Sequence, residues 1–85
     1  MTEHQLFIQT RSRSEVLERL LRVVRHRGFQ ICKMNMNQTA NGDNISVYLT
    51  VASERPVNLL STQLSKLVDI SSVEILNHES QQIRA

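Results

Sequence analysis

From Gln5 to Thr10 the chain alternates, with Leu6 and Ile8 on one face and Gln5, Phe7 and Gln9 on the other. That period of two predicts a half-buried strand. Ser12 and Ser14 then offer side-chain oxygens suited to a helix start, and Ser12 with Glu15 has the spacing of a reciprocal capping box. A helix is predicted to begin between Arg13 and Glu15. At 100° per residue, Val16, Leu17, Leu20, Leu21, Val23 and Val24 fall within an arc of about 160°, the width of a helix laid on a core. Arg19, Arg22, Arg25 and His26 point away from it. Glu15 with Arg19 and Glu18 with Arg22 form acid-before-base pairs at i,i+4, each worth about 0.2–0.5 kcal/mol. Gly28 is the predicted stop, because glycine accepts the left-handed backbone past a helix end, and Phe29 can close the hydrophobic contact of that cap.

Phe29 to Asn37 mixes two alternating sets, Phe29 and Ile31 against Cys32, Met34 and Met36, which a bulge near Ile31 would reconcile. Asn41-Gly42-Asp43 is a strong turn signal and joins this strand to the next as a hairpin. In the third strand Ile45, Val47, Leu49 and Val51 face one way and Ser46, Tyr48 and Thr50 the other. Pro56 carries the fixed φ of a first helical position, with Val57, Leu60, Leu64, Leu67 and Val68 in one stripe, so a second helix is predicted over about 56–68. Leu59 lies off that stripe, either a scattered surface leucine or a contact residue. Ile70 to Asn77 reads as the last strand, with Val73 and Ile75 inward. The expected domain covers 1–78, and 79–85 reads as a polar, frayed tail.

This order of elements, with a tight hairpin in the middle, predicts an α+β, ferredoxin-like βαββαβ domain. Right-handed crossovers place both helices on one face of a four-stranded antiparallel sheet of strand order 2-3-1-4. The other face then carries Phe7, Tyr48, Leu76 and some of the methionines among polar residues, a surface suited to a partner.

Composition narrows the function more than the fold. Eighty-five residues make one small domain, which buries only about 60% of its unfolded surface, and 40% apolar content is enough for a core. No run approaches the roughly 18 apolar residues of a membrane span, and Met1 to Gln5 lacks the pattern of a secretory signal, so a cytoplasmic address is expected. The lone Cys32 has no internal partner and reads as a small apolar filler in a strand. Between residues 11 and 27 six arginines meet two glutamates, a net +4 in a chain of +2. That strip suits a solvated helix face, nucleic acid or an acidic protein surface.

No catalytic set emerges. His4, His26 and His78 sit on different elements without a second ligand at a usable spacing, so no metal site is expected. Gly28 and Gly42 serve as punctuation rather than as a phosphate cradle. Ser12, Ser14, Ser53 and Ser61 have no predicted histidine base beside them. An RNA-recognition module shares the βαββαβ order, but it stacks bases on aromatics of its first and third strands. Here only Phe7 and Tyr48 are available, and the basic residues lie on a helix at the opposite side of the sheet.

The segments Val23-Val24-Arg25-His26-Arg27-Gly28-Phe29-Gln30-Ile31 and Lys66-Leu67-Val68-Asp69-Ile70, with Leu49-Thr50-Val51 between them, resemble the small regulatory subunits of acetohydroxyacid synthase, also called acetolactate synthase. The resemblance spans about residues 4–77, and the brief ending Ser80-Gln81-Gln82-Ile83-Arg84-Ala85 is similar to the isozyme II type. It implies an ACT domain without catalytic activity or cofactor of its own. The implied partner is a large catalytic subunit that carries thiamine diphosphate, Mg²⁺ and FAD and forms acetolactate for branched-chain amino acid synthesis, including isoleucine and valine. It also implies a homodimer joined through a sheet edge, with no nucleic acid or membrane partner. A free-standing amino-acid-sensing ACT domain is the alternative. Valine-binding relatives resemble Asn-x-x-Gly before the first helix, whereas this chain has Ser12-Arg13-Ser14-Glu15, so the effector loop is expected to be vestigial and the protein valine-insensitive. The candidate partner surface comprises Arg19, Arg22, Arg25, Phe7, Tyr48 and Leu59.

Overall fold

A computed structural model describes residues 2–76, in which six elements follow one another: β1 (Thr2–Arg11), α1 (Ser14–His26), β2 (Gln30–Gln38), β3 (Asn44–Ser53), α2 (Val57–Ser65) and β4 (Ile70–Leu76). The strands form one antiparallel sheet in the order β2-β3-β1-β4, the predicted split arrangement. Both helices pack on the same face. Leu6 and Ile8 of β1, the alternating Ile45, Val47, Leu49 and Val51 of β3, Val16, Leu20 and Val24 of α1, and Leu60 and Leu64 of α2 form the buried core. No helix among the described residues is long and apolar enough to cross a membrane.

The C-terminal end of α1 closes as the sequence predicts. Gly28 has φ +83°, its N–H donates to the Arg25 carbonyl at 3.0 Å, and the Phe29 N–H donates to the Val24 carbonyl at 3.1 Å. Those two bonds define a Schellman cap, and the side chains of Phe29 and Val24 are both buried beneath it. The predicted bulge is also present: Ile31 pairs with Val51 and Lys33 with Thr50, which leaves Cys32 without a cross-strand partner. In the hairpin Gly42 takes φ +77°, and Asn41 Oδ1 accepts from the Asp43 N–H at 3.1 Å and the Thr39 hydroxyl at 2.8 Å.

Five expectations are corrected. The capping box of Ser12 and Glu15 does not form: Arg13 is the N-cap, with no side-chain cap bond, and Ser12 Oγ instead accepts from Gln38 Nε2 at 3.3 Å. Backbone ties to other loops place Ser12 one residue too early to cap. Among the described residues neither Glu15–Arg19 nor Glu18–Arg22 closes to an ion pair, as both lie on the solvated face, where ordering two long side chains offsets the weak attraction. The second helix is shorter than 56–68. Pro56 is its N-cap, with extended ψ of 134°, and after Ser65 the Lys66 and Leu67 N–H groups bond three residues back, to Gln63 and Leu64. That tightening turns Val68 out of the apolar stripe, to 89% exposure.

Met34 and Met36 belong to the helix side of the sheet, not the open side, because the bulge at Cys32 brings Met34 opposite Leu49 and Met36 opposite Val47. Cys32 itself is exposed rather than a filler, since a bulged residue leaves the pleat. The tail at 79–85 lies outside the described residues.

Candidate functional site

The loop between β1 and α1 is held by its neighbours. Thr10 falls in phase with Leu6 and Ile8, so a polar side chain occupies a core position, fully buried. Its hydroxyl donates to the Asp69 carbonyl at 2.9 Å, and the Arg11 N–H donates to the same oxygen at 3.0 Å. The Ser12 N–H donates to the Asp43 carbonyl at 3.0 Å, the Arg13 N–H to the Arg11 carbonyl at 3.0 Å, and the Val16 N–H to the Arg13 carbonyl at 3.1 Å. Arg13 Nε approaches Asp69 Oδ1 at 3.8 Å, a long contact between an exposed arginine and a mostly buried aspartate side chain. Three of the backbone donors around the helix start are thus engaged within the protein.

Beside this loop lies an open concavity of about 510 Å³, lined by Arg11, Ser12, Arg13, Gly42, Asp43, Asn44 and Ser71. Two guanidinium groups and one carboxylate give it mixed charge. Glu15 stands exposed in the first turn of α1. Of the four loop residues singled out from the sequence, Ser12 and Arg13 reach this concavity. Nothing in the local pattern reveals the role of Asp43 or Asp69, whose carbonyls hold the loop. Thr10 alone leaves a signal, as a hydrogen-bonding residue in the buried phase of a strand.

The six surface residues separate into three places. Arg19, Arg22 and Arg25 all lie exposed on α1, and Arg22 and Arg25 join Glu18, Leu21 and Ile31 around a concavity of about 300 Å³ between α1 and β2. Phe7 and Tyr48 sit opposite each other on β1 and β3, on the sheet face that no helix covers, with ring centroids 4.7 Å apart and planes tilted by 37°. Leu59, 48% exposed, stands on α2, away from both. A single continuous patch containing all six does not exist.

Among the described residues no group of three His, Cys, Asp or Glu side chains is placed to hold a metal ion.

Comparisons with known proteins place the chain in a family. The family model described as "ACT domain" matches residues 12–73. The acetolactate synthase isozyme 2 small subunit of Escherichia coli (strain K12) is 53% identical over the full length of both chains, and that of Shigella flexneri matches equally. Among solved structures, the acetolactate synthase small subunit from Thermotoga maritima superposes with a TM-score of 0.78 at 17% identity, covering 91% of this chain and 48% of that one. The ACT domain of GTP pyrophosphokinase from Chlorobium tepidum does so with 0.74 at 16% identity, covering 87% of this chain and 96% of that one. At such identities the structural matches speak for the fold, whereas the E. coli and Shigella matches speak for descent. With an ACT-domain match over most of its length and half its residues shared with isozyme 2 small subunits, the chain belongs to the acetolactate synthase small-subunit family of ACT domains.

Proposed function

We propose that this chain is the non-catalytic, activating subunit of an acetolactate synthase, acting in the cytoplasm in branched-chain amino acid synthesis. The observation that carries this reading is the 53% identity to isozyme 2 small subunits along the whole chain. Thiamine diphosphate, Mg²⁺ and FAD belong to the large catalytic subunit, which performs the condensation. The small subunit supplies a docked surface that favours the active form of its partner. Arg19, Arg22 and Arg25 are the enzyme-facing charges: they project from one face of α1 and are exposed, with no acidic partner within the described residues. Self-association runs through the outer edge of β2, the end of the sheet order on that side, where a strand leaves backbone groups open to a second strand.

Valine does not regulate through this chain. The reading is supported by the engaged amides of Ser12, Arg13 and Val16 and by Glu15, whose charge opposes a ligand carboxylate at the helix start. Purified large subunit, assayed for acetolactate formation with and without this chain, is expected to speed up saturably when it is added. An unchanged rate would overturn the proposal. Reversing the charges of Arg22 and Arg25 together is expected to slow the association, more strongly at low salt. In calorimetry the wild-type chain is expected to show no valine binding at micromolar concentrations, and a Ser12→Asn, Glu15→Gly double substitution to gain it.

A further inference from the structure

Of the asparagines along the chain only Asn41 precedes a glycine, and the pair sits at the tip of the β2–β3 hairpin. Asparagine is a thermolabile residue, because the backbone nitrogen that follows it can attack its carboxamide carbon. A glycine leaves that nitrogen unshielded, whereas Asn35, Asn37, Asn44 and Asn58 precede Met36, Gln38, Ile45 and Leu59, whose side chains crowd the approach. Asn41 is exposed, and the space that a Cβ would fill on Gly42 is open. Solvent base and water therefore reach both reacting residues.

The folded tip nevertheless holds both groups. The Gly42 N–H donates to the Thr39 carbonyl at 2.9 Å, closing the turn, and the proton in that bond is the one that must leave before the nitrogen can attack. Asn41 Oδ1 accepts from the Thr39 hydroxyl at 2.8 Å and from the Asp43 N–H at 3.1 Å, so the plane of the carboxamide is fixed from two sides. The Thr39 hydroxyl is itself placed by the Asn44 N–H, which donates to it at 3.3 Å. Closing a ring between Asn41 Cγ and the Gly42 nitrogen turns that plane and removes that proton. All three bonds to Asn41 and Gly42 must open first.

We propose that Asn41 is a deamidation site latched by Thr39: the folded hairpin restrains the reaction, and local opening of the tip releases it. In the opened tip a solvent base takes the Gly42 amide proton and the nitrogen bonds to Asn41 Cγ. The Cγ–Nδ2 bond breaks, Nδ2 leaves as ammonia, and a cyclic imide remains. Water adds to either imide carbonyl, giving an aspartate or an isoaspartate at position 41. An aspartate keeps an acceptor oxygen for both donors. An isoaspartate adds a carbon to the main chain beside Asp43, whose carbonyl accepts from the Ser12 N–H at 3.0 Å, so that product loosens the loop before α1. The reaction involves this hairpin alone and stands or fails apart from activation of a synthase.

The full chain, kept folded in neutral buffer and then digested, is read by peptide mass analysis for conversion of the Asn41 amide to a carboxyl group. Thr39→Val keeps the shape of the side chain and removes the donor. It is expected to react about fivefold faster, the factor for one lost hydrogen bond of about 1 kcal/mol. Thr39→Ser restores the donor and is expected to return to the wild-type rate. Wild-type chain unfolded in urea is expected to react faster than the same chain folded. Equal rates for folded and unfolded wild type would overturn the proposal. So would a Thr39→Val rate at or below wild type, which would make the hydroxyl a bystander or an activator of the carboxamide. Thr39→Ser reacting as fast as Thr39→Val, or conversion concentrated at another asparagine, would overturn it as well.

Discussion

The two ends of α1 are built in opposite ways. At the C-terminal end the capping partners lie within a few residues: Gly28 turns into the left-handed region, two backbone bonds return to Val24 and Arg25, and Phe29 packs beneath. Ser53 adds one distant tie, its hydroxyl donating to the Gly28 carbonyl at 3.1 Å and accepting from the Arg55 N–H at 3.0 Å. At the N-terminal end no side chain caps the helix, and the preceding loop is held by Asp43, Asp69 and Gln38 from elsewhere in the chain. A local signal of correct spacing lost to long-range ties at one end and prevailed at the other. What differs is whether an alternative set of partners lies within reach.

Gly28→Ala offers the largest test of the contrast. A side chain in the left-handed region costs about 1–2 kcal/mol, and the added Cβ would lie 3.1 Å from Arg55 Nε, a contact the flexible arginine can relieve by moving. Thermal unfolding is expected to fall by about 4–8 °C per kcal/mol lost. A stability equal to wild type would show that the cap does not govern this end.

Thr10→Val should come next. It keeps the shape of a buried side chain while removing the bond to the Asp69 carbonyl, which still accepts from the Arg11 N–H, so about 1 kcal/mol is expected from denaturant unfolding. A larger loss would mean that this single hydroxyl, rather than the backbone ties, holds the loop.

Ser12→Ala has the smallest expected effect and the sharpest meaning. Removal of a true N-cap costs about 1 kcal/mol, whereas loss of the exposed 3.3 Å contact from Gln38 should cost less than about 0.5 kcal/mol. A loss of 1 kcal/mol or more in urea unfolding would restore the capping box and make the two ends alike.

Features that repeat with a short period or lie within one turn are legible in the residues alone. Alternation set the inward faces of β1 and β3, the helical stripe set Val16, Leu20 and Val24 inward and the arginines outward, and Gly28 with Phe29 set the helix stop. Even the bulge at Cys32 was legible, because two hydrophobic phases in one strand cannot share a face without it. The candidate surfaces were legible as exposure but not as neighbourhood: the adjacency of Phe7 and Tyr48 needs the β1–β3 register, and Leu59 falls apart from both only once the helices are placed. The candidate effector loop depends instead on long-range packing. Its partners stand far along the chain, 59 residues from Thr10 to Asp69 and 26 from Ser12 to Gln38. Hydrogen bonds of that separation follow from where the crossovers bring the loops, and no spacing within the loop encodes them. The exposed Val68 has the same origin: its stripe is correct for an unbroken helix, but the chain must turn after Ser65 to enter β4 beside β1.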